Sequence, residues 1–161
     1  MKKTLIVSLL VGLCSVVMGA EQKSFLDGIS LTTEGFYRAD ISNGGGEWGA
    51  GSTLSLVLQK NVNLNIRNLA YESDNWGGST IDESQAGVSA KLFSAAKGKL
   101  TINGEADYCR NWETKDNGIG VGGNAAYAFT KNISAFGGVQ YRVWNKGAND
   151  MMYPFGIKYS F

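Results

Sequence analysis

From Gly28 to its last residue the chain alternates, apolar then polar or small, with a period of two. Eight runs carry the pattern, at roughly 28–40, 48–59, 62–72, 83–93, 99–111, 118–129, 133–144 and 151–161. Period two is the signature of a strand with one buried and one contrasting face, and helical spacing is hard to find here. The connections alternate as well. Lys60-Asn61, Ser94–Gly98 and Thr130–Asn132 are tight, whereas 41–47, 73–82, 112–117 and 145–150 are longer and rich in Gly, Asn and Asp. Short on one side and longer on the other predicts an all-β, antiparallel up-and-down meander of hairpins. Three segments, KNVNLNIRNLAY (60–71), KGKLTINGEADY (97–108) and KNISAFGGVQY (131–141), each start at a Lys-containing turn and reach a Tyr; they fix the register of the pattern. The chain's 22 glycines and single proline agree with a strand-and-turn protein.

Eight alternating strands suit a soluble barrel or a membrane barrel, and the two differ only in which face is inside. One parity carries no charge over the residues that follow. It includes Ile29, Leu31 and Tyr37; Trp48, Leu54 and Leu56; Val62, Leu64 and Ile66; Val88 and Leu92; Leu100, Ile102 and Tyr108; Ile119, Val121, Tyr127 and Phe129; Ile133, Val139, Tyr141 and Val143; and Tyr153, Phe155, Ile157, Tyr159 and Phe161. The other parity holds Glu34, Arg38, Arg67, Lys91, Glu105, Asp107, Arg142 and Lys158 among many Asn and Gln residues.

Three arguments turn the apolar parity outward. It contains Gly35, Gly104, Gly123 and Gly137, which would leave voids in a soluble core but not against lipid tails. An eight-stranded barrel has just enough interior to be filled by side chains, so the charged parity fits inside, where acids and bases pair. The aromatics Tyr37, Trp48, Tyr108, Tyr127, Phe129 and Tyr141 fall toward strand ends, where girdles meet headgroups. Closure follows from backbone chemistry, since an unpaired N–H or C=O in hydrocarbon costs several kcal/mol. The reading is an eight-stranded antiparallel transmembrane β-barrel spanning 21–161. The alternative is a secreted soluble barrel that binds an apolar ligand inside.

Residues 1–20 (MKKTLIVSLLVGLCSVVMGA) show a basic start, an apolar run and a small-residue end, which predicts a cleaved signal peptide rather than a membrane-spanning helix. A lipid anchor on Cys14 is disfavoured by Leu13, where a small residue is needed. Without Lys2 and Lys3 the chain has 13 basic and 14 acidic residues, so no nucleic-acid footprint is present. Cys109 is then the one remaining cysteine, which excludes an intrachain disulfide.

Taken together, the export segment, the eight patterned strands and the ending Tyr153-Pro154-Phe155-Gly156-Ile157-Lys158-Tyr159-Ser160-Phe161 resemble small bacterial outer-membrane β-barrels of the OmpA/OmpX type. The resemblance implies residence in the outer membrane, contact with its lipids, and recognition of Tyr153, Phe155, Ile157, Tyr159 and Phe161 by the barrel-assembly machinery. It implies termini and tight turns in the periplasm and four longer connections outside. Pro154 departs from the pattern, because it removes a ladder donor; its place near the outer end of the strand allows a bulge or frayed rim.

The chemistry is sparse. The chain has no histidine, the usual base of enzymes built on such barrels, so no catalytic residue, cofactor or metal is expected. Glu34, Arg38, Arg67, Lys91, Glu105, Asp107, Arg142 and Lys158 are expected to form a charge network inside. Within it, Glu34 and Arg38 lie four apart on one strand. That network is read either as a static set of pairs or as a plug that opens a narrow path. The expected function is a structural or surface-contact barrel without catalysis, with a narrow passive channel as the alternative. With no polar patch expected on the lipid side, the chain reads as a monomer whose external partner is unknown.

Overall fold

A computed structural model describes residues 28–41, 44–73 and 79–161, without side chains at 72–73 and 79–82. The strands are β1 (Ile29–Asp40), β2 (Gly46–Gln59), β3 (Val62–Ser73), β4 (Ser79–Ala95), β5 (Leu100–Asn111), β6 (Asn117–Ala128), β7 (Ile133–Trp144) and β8 (Asp150–Ser160). Each pairs antiparallel with its sequence neighbour, and β8 returns to β1, so the sheet closes with no edge. The predicted segment 1–20 lies outside the described residues.

The expected runs and the observed strands agree closely; the strands are longer mainly at the ends facing the four long connections. Those connections shrink to 41–45, 74–78, 112–116 and 145–149. At the opposite end, Lys60-Asn61 closes β2 onto β3 with Asn61 in the left-handed region at φ 70°, which Asn tolerates better than most residues. The β4–β5 turn needs three consecutive positive angles, at Ala96, Lys97 and Gly98.

Pairing followed once around the barrel runs Ser30, Ser55, Asn65, Gly87, Asp107, Gly120, Arg142, Asp150 and back to Asp40. The walk leaves β1 at Ser30 and re-enters it ten residues on. Such a stagger in an eight-stranded barrel tilts the strands by about 40°. Every residue on this walk faces inward, so a single row of ladder bonds climbs from the turn end at β1 to the loop end at β8.

The apolar parity faces out on all eight strands. Leu54 and Ile102, which would be the heart of a soluble core, are 39% and 41% exposed, and Ile119 is 61% exposed. The inward parity is polar: Glu34, Arg67, Glu83, Gln85, Glu105, Asp107, Gln140, Arg142 and Asp150 are all buried. This inside-out arrangement is that of a transmembrane barrel.

Two belts of aromatics ring the outside. At the loop end Tyr37 packs on Trp48 (ring centroids 5.0 Å) and Tyr153 (6.5 Å), with Tyr108 and Tyr141 at similar height on β5 and β7. At the turn end Tyr127 meets Phe129 (5.6 Å) and Tyr159 meets Phe161 (4.9 Å). Tyr153 and Phe161 are eight residues apart, ~20 Å along the axis at the strand rise and tilt above, comparable to the apolar band of such barrels. Phe155 and Ile157 fill the space between, and the Phe155 ring covers outward-facing Gly35, whose Cβ position would lie 3.0 Å from it.

Three features depart from strict alternation. The register slips between Lys91 and Phe93 on β4, so both Leu92 and Phe93 are exposed, at 70% and 55%. A second slip lies between Val57 and Gln59 on β2. Pro154 sits within β8, not at a frayed rim: it keeps its place opposite Phe36 on β1, while the ladder to β7 is interrupted between Phe155 and Met152.

The lipid side is also less uniform than expected. Ser52, Asn68, Ser84, Arg110 and Asn117 are ladder neighbours on β2 to β6 and face outward. Ser84 Oγ donates to Asn68 Oδ1 (2.8 Å), Trp112 Nε1 donates to Ser84 Oγ (2.9 Å), and Arg110 donates to Asn117 Oδ1 (2.6 Å). The row climbs toward the loop end because the ladder does, so its most polar members reach the headgroup level.

Candidate functional site

The residues with most chemistry converge inside the barrel, in two connected groups. The loop-side group is centred on Asp150. Its carboxylate accepts from Arg142 Nε (2.5 Å), Arg38 Nε (2.8 Å) and Trp144 Nε1 (2.9 Å). Arg142 also donates Nη1 to Glu83 (2.7 Å), and Arg38 reaches Glu47 (3.4 Å) and the Tyr71 hydroxyl (2.9 Å). The guanidinium is suited to this role, because its fixed fork bridges two carboxylates at once.

Packed beneath these charges is a small apolar cluster of Phe36, Leu69, Tyr71 and Met152. Phe36 meets Tyr71 edge-to-face at 5.9 Å. The ring of Phe36 occupies the space a Cβ on Gly49 would need, so the glycine opposite is what admits an aromatic to this narrow lumen. Arg142, Phe36, Met152, Gln140 and Asp150 are fully buried. Together the pairs and the cluster fill the lumen across its width.

The turn-side group is centred on Arg67. It pairs with Glu34 (3.1 Å) and Glu105 (3.5 Å) and donates to Thr53 (3.1 Å) and Gln85 (3.1 Å). Thr53 donates in turn to Glu34 (2.9 Å), and Gln140 donates to Asp107 (2.6 Å). Gln85 joins the two groups, accepting from Arg67 and donating to Glu83 (2.8 Å). Below Arg67 the lumen opens into a cavity of about 230 Å³. Thr32, Ser55, Asn63, Asn65, Asn103 and Asn124 line its walls, and Lys99, Lys131 and Lys158 lie toward the mouth. Among the described residues no group of three His, Cys, Asp or Glu side chains is placed to hold a metal ion.

The structure therefore distributes the eight expected network residues unevenly. Glu34, Arg67 and Glu105 form one set, Arg38 and Arg142 belong to the other, and Asp107 is held by Gln140. Glu34 and Arg38, neighbours on the same face of β1, do not pair with each other; Glu34 pairs with Arg67 on β3, and Arg38 with Glu47 on β2 and Asp150 on β8. Lys158 lines the cavity without an ion pair among the described residues, and Lys91 is an exposed rim residue beside the β4 bulge. Glu47, Glu83 and Asp150 complete the network and were not anticipated. All three lie on the inward parity, but Glu47 and Asp150 are just outside the expected runs, where periodicity gives no face. Phe36 carried a readable signal, an aromatic between Glu34 and Arg38 on the charged parity.

No family model matches this chain, and no curated protein matches its sequence. Solved structures do match its fold. Neisserial surface protein A aligns with a TM-score of 0.64 at 10% identity, over 84% of this chain and 98% of that one. The N-terminal β-barrel domain of Pseudomonas aeruginosa OprF aligns at 0.58 with 13% identity, over 82% and 97%. A transmembrane β-barrel designed de novo aligns at 0.57 with 16% identity, over 88% and 100%. The fold is that of the small eight-stranded outer-membrane barrels. Natural and designed barrels match about equally well, so what they share with this chain is architecture.

Proposed function

We propose that this protein is a non-catalytic integral barrel of the bacterial outer membrane, with a structural or surface-contact role. The termini and tight turns face the periplasm, the loops 41–45, 74–78, 112–116 and 145–149 face outside, and residues 1–20 direct export. Outer-membrane lipids contact the apolar exterior, and Tyr153, Phe155, Ile157, Tyr159 and Phe161 present the insertion signal to the assembly machinery. The barrel works as a monomer. The observation that carries this reading is the loop-side plug: fully buried Arg142, bonded to Glu83 and Asp150, over packed Phe36 and Met152. A lumen filled in this way favours scaffold over passage. The absence of histidine and the engagement of Glu34, Glu105 and Asp107 in ion pairs and hydrogen bonds support a role without catalysis.

The test has two parts. Protease cleavage within 74–78 on intact cells, lost when residues 1–20 are deleted, is the expected result for the topology. Silent planar bilayers are the expected result for the plug. The open turn-side cavity favours a second reading, a narrow passive channel whose remaining barrier is the Arg142 cluster. Conductance steps in the native protein that change on Glu83→Gln would replace the first reading with the second.

A further inference from the structure

The turn-side cavity has a charge pattern that the scaffold role does not use. Its volume of about 230 Å³ equals roughly eight water molecules at ~30 Å³ each, the size of a small organic solute. Glu34 and Glu105 line its closed end on either side of Arg67. Each is more than nine-tenths buried. Each gives one oxygen to Arg67 and keeps the other, Glu34 Oε2 and Glu105 Oε1, without a hydrogen-bond partner. Asp107 lies close by, hydrogen-bonded only to neutral Gln140 among its side-chain partners, so three buried carboxyl groups share the one guanidinium of Arg67. Buried carboxyl groups in excess of their cations are unfavourable unless a proton or a donor compensates them. Toward the mouth the sign reverses. Lys158, Lys99 and Lys131 line the cavity there, and Lys158 has no hydrogen bond or ion pair among the described residues.

We propose that this cavity binds a small zwitterion of the amino-acid class, with its ammonium toward Glu34 and Glu105 and its carboxylate on Lys158. The ammonium supplies the donors that the two orphan oxygens lack, and charge-assisted bonds of this kind are the strong ones. The two free oxygens have no exposed surface, so the ligand reaches them by turning each carboxylate about its broad terminal torsion, which exchanges part of the contact with Arg67 for one with the ammonium. The neutral Asn, Ser and Thr walls offer both donors and acceptors. A simple cation satisfies the closed end and leaves Lys158 unused; a simple anion meets the carboxylates. Only a dipolar ligand matches both ends.

The experiment is an amide NMR titration of the full chain refolded in detergent micelles, with γ-aminobutyrate, propylammonium and butyrate as probes. Saturable shifts on β1, β5 and β8 with γ-aminobutyrate, at an affinity at least about tenfold above either half-probe, are expected. Lys158→Gln, which breaks no hydrogen bond or ion pair, is expected to lower that affinity about tenfold and leave propylammonium binding intact. Glu34→Gln with Glu105→Gln is expected to abolish binding of both ammonium probes. Equal affinity for propylammonium and γ-aminobutyrate, insensitivity to Lys158→Gln, or no saturable shift each overturns the proposal. Micelles carry no sidedness, so such a failure leaves the outer-membrane reading untouched.

Discussion

The two halves of the lumen solve the same problem in opposite ways. Both must place charged side chains inside a narrow barrel. The loop-side half surrounds Arg38 and Arg142 with Glu47, Glu83 and Asp150 and packs Phe36, Leu69, Tyr71 and Met152 against them, leaving only Arg38 and Glu47 partly exposed. The turn-side half leaves Arg67 with Glu34 and Glu105 at the closed end of an open cavity walled by amides and hydroxyls. In the first half, stability depends on complete pairing, because a buried charge that loses its partner has nothing to replace it. In the second, Arg67 and its two glutamates are also buried, but the cavity beside them lets water or a solute approach a group that has lost its partner, so the same substitutions should cost less. Stability should therefore reside mainly at the loop side, and room for ligands at the turn side.

The sharpest way to break this comparison is to remove one arginine from the sealed half. Arg142→Met leaves Glu83 and Asp150 buried with a shared partner gone, and should destabilise the barrel by about 3–5 kcal/mol. Urea unfolding in lipid vesicles, followed by heat-modifiable gel migration, measures it. Arg142→Lys should recover only part, since a point charge does not span two carboxylates as the fork does. Lys158→Met in the open half, which breaks no ion pair, should change stability by less than about 0.5 kcal/mol. Equal losses at the two positions would erase the distinction between the halves.

Glycines give an intermediate contrast. A side chain at Gly49 would overlap the Phe36 ring, so Gly49→Val should cost about 1–3 kcal/mol through overpacking. Outward Gly137 has nothing within 4 Å of its Cβ position, and Gly137→Val should be neutral or stabilising in vesicles. The same unfolding assay separates them. A small loss at Gly49 would mean that the aromatic seal is looser than its burial indicates.

Much of this fold is legible in the sequence because a barrel in lipid obeys a period of two over nearly its whole length. A one-residue error would turn every side chain to the wrong face, so the eight strands and their two parities could be assigned from alternation, while the glycines, the narrow interior and the aromatics said which parity faces out. The stagger could not. It is a property of closure, and it decides that Glu34 meets Arg67 rather than Arg38, and that Asp150 lies between two arginines from β1 and β7. The slips at Val57–Gln59 and Lys91–Phe93 were also hidden: Leu92-Phe93 breaks the alternation at the end of a run, where a strand ending and a bulge look alike. Pro154 was visible as an exception, but the strand absorbs it by losing bonds to β7 alone, which depends on which neighbour its missing N–H would have faced.

The loops provide the smallest test, and they ask whether the sealed half extends beyond the strands. Asp116, at the end of the β5–β6 loop, is buried. Its carboxylate accepts from the backbone N–H groups of Asn117 (2.8 Å), Lys146 (3.1 Å) and Gly147 (2.9 Å). One side chain thus ties the β5–β6 loop to the β7–β8 loop directly above Trp144 and Arg142. Asp116→Ala removes the charge-assisted hydrogen bonds of three N–H donors but leaves those donors where water can reach them, so the expected loss is about 1 kcal/mol. The more telling readout is amide exchange. If the tie helps to close the plug, exchange should quicken at Lys146, Gly147 and Trp144, and stay unchanged at the Lys60-Asn61 turn. Uniform quickening at both ends would instead mean that the barrel opens as one unit, and the division between its halves would be one of charge and space but not of stability.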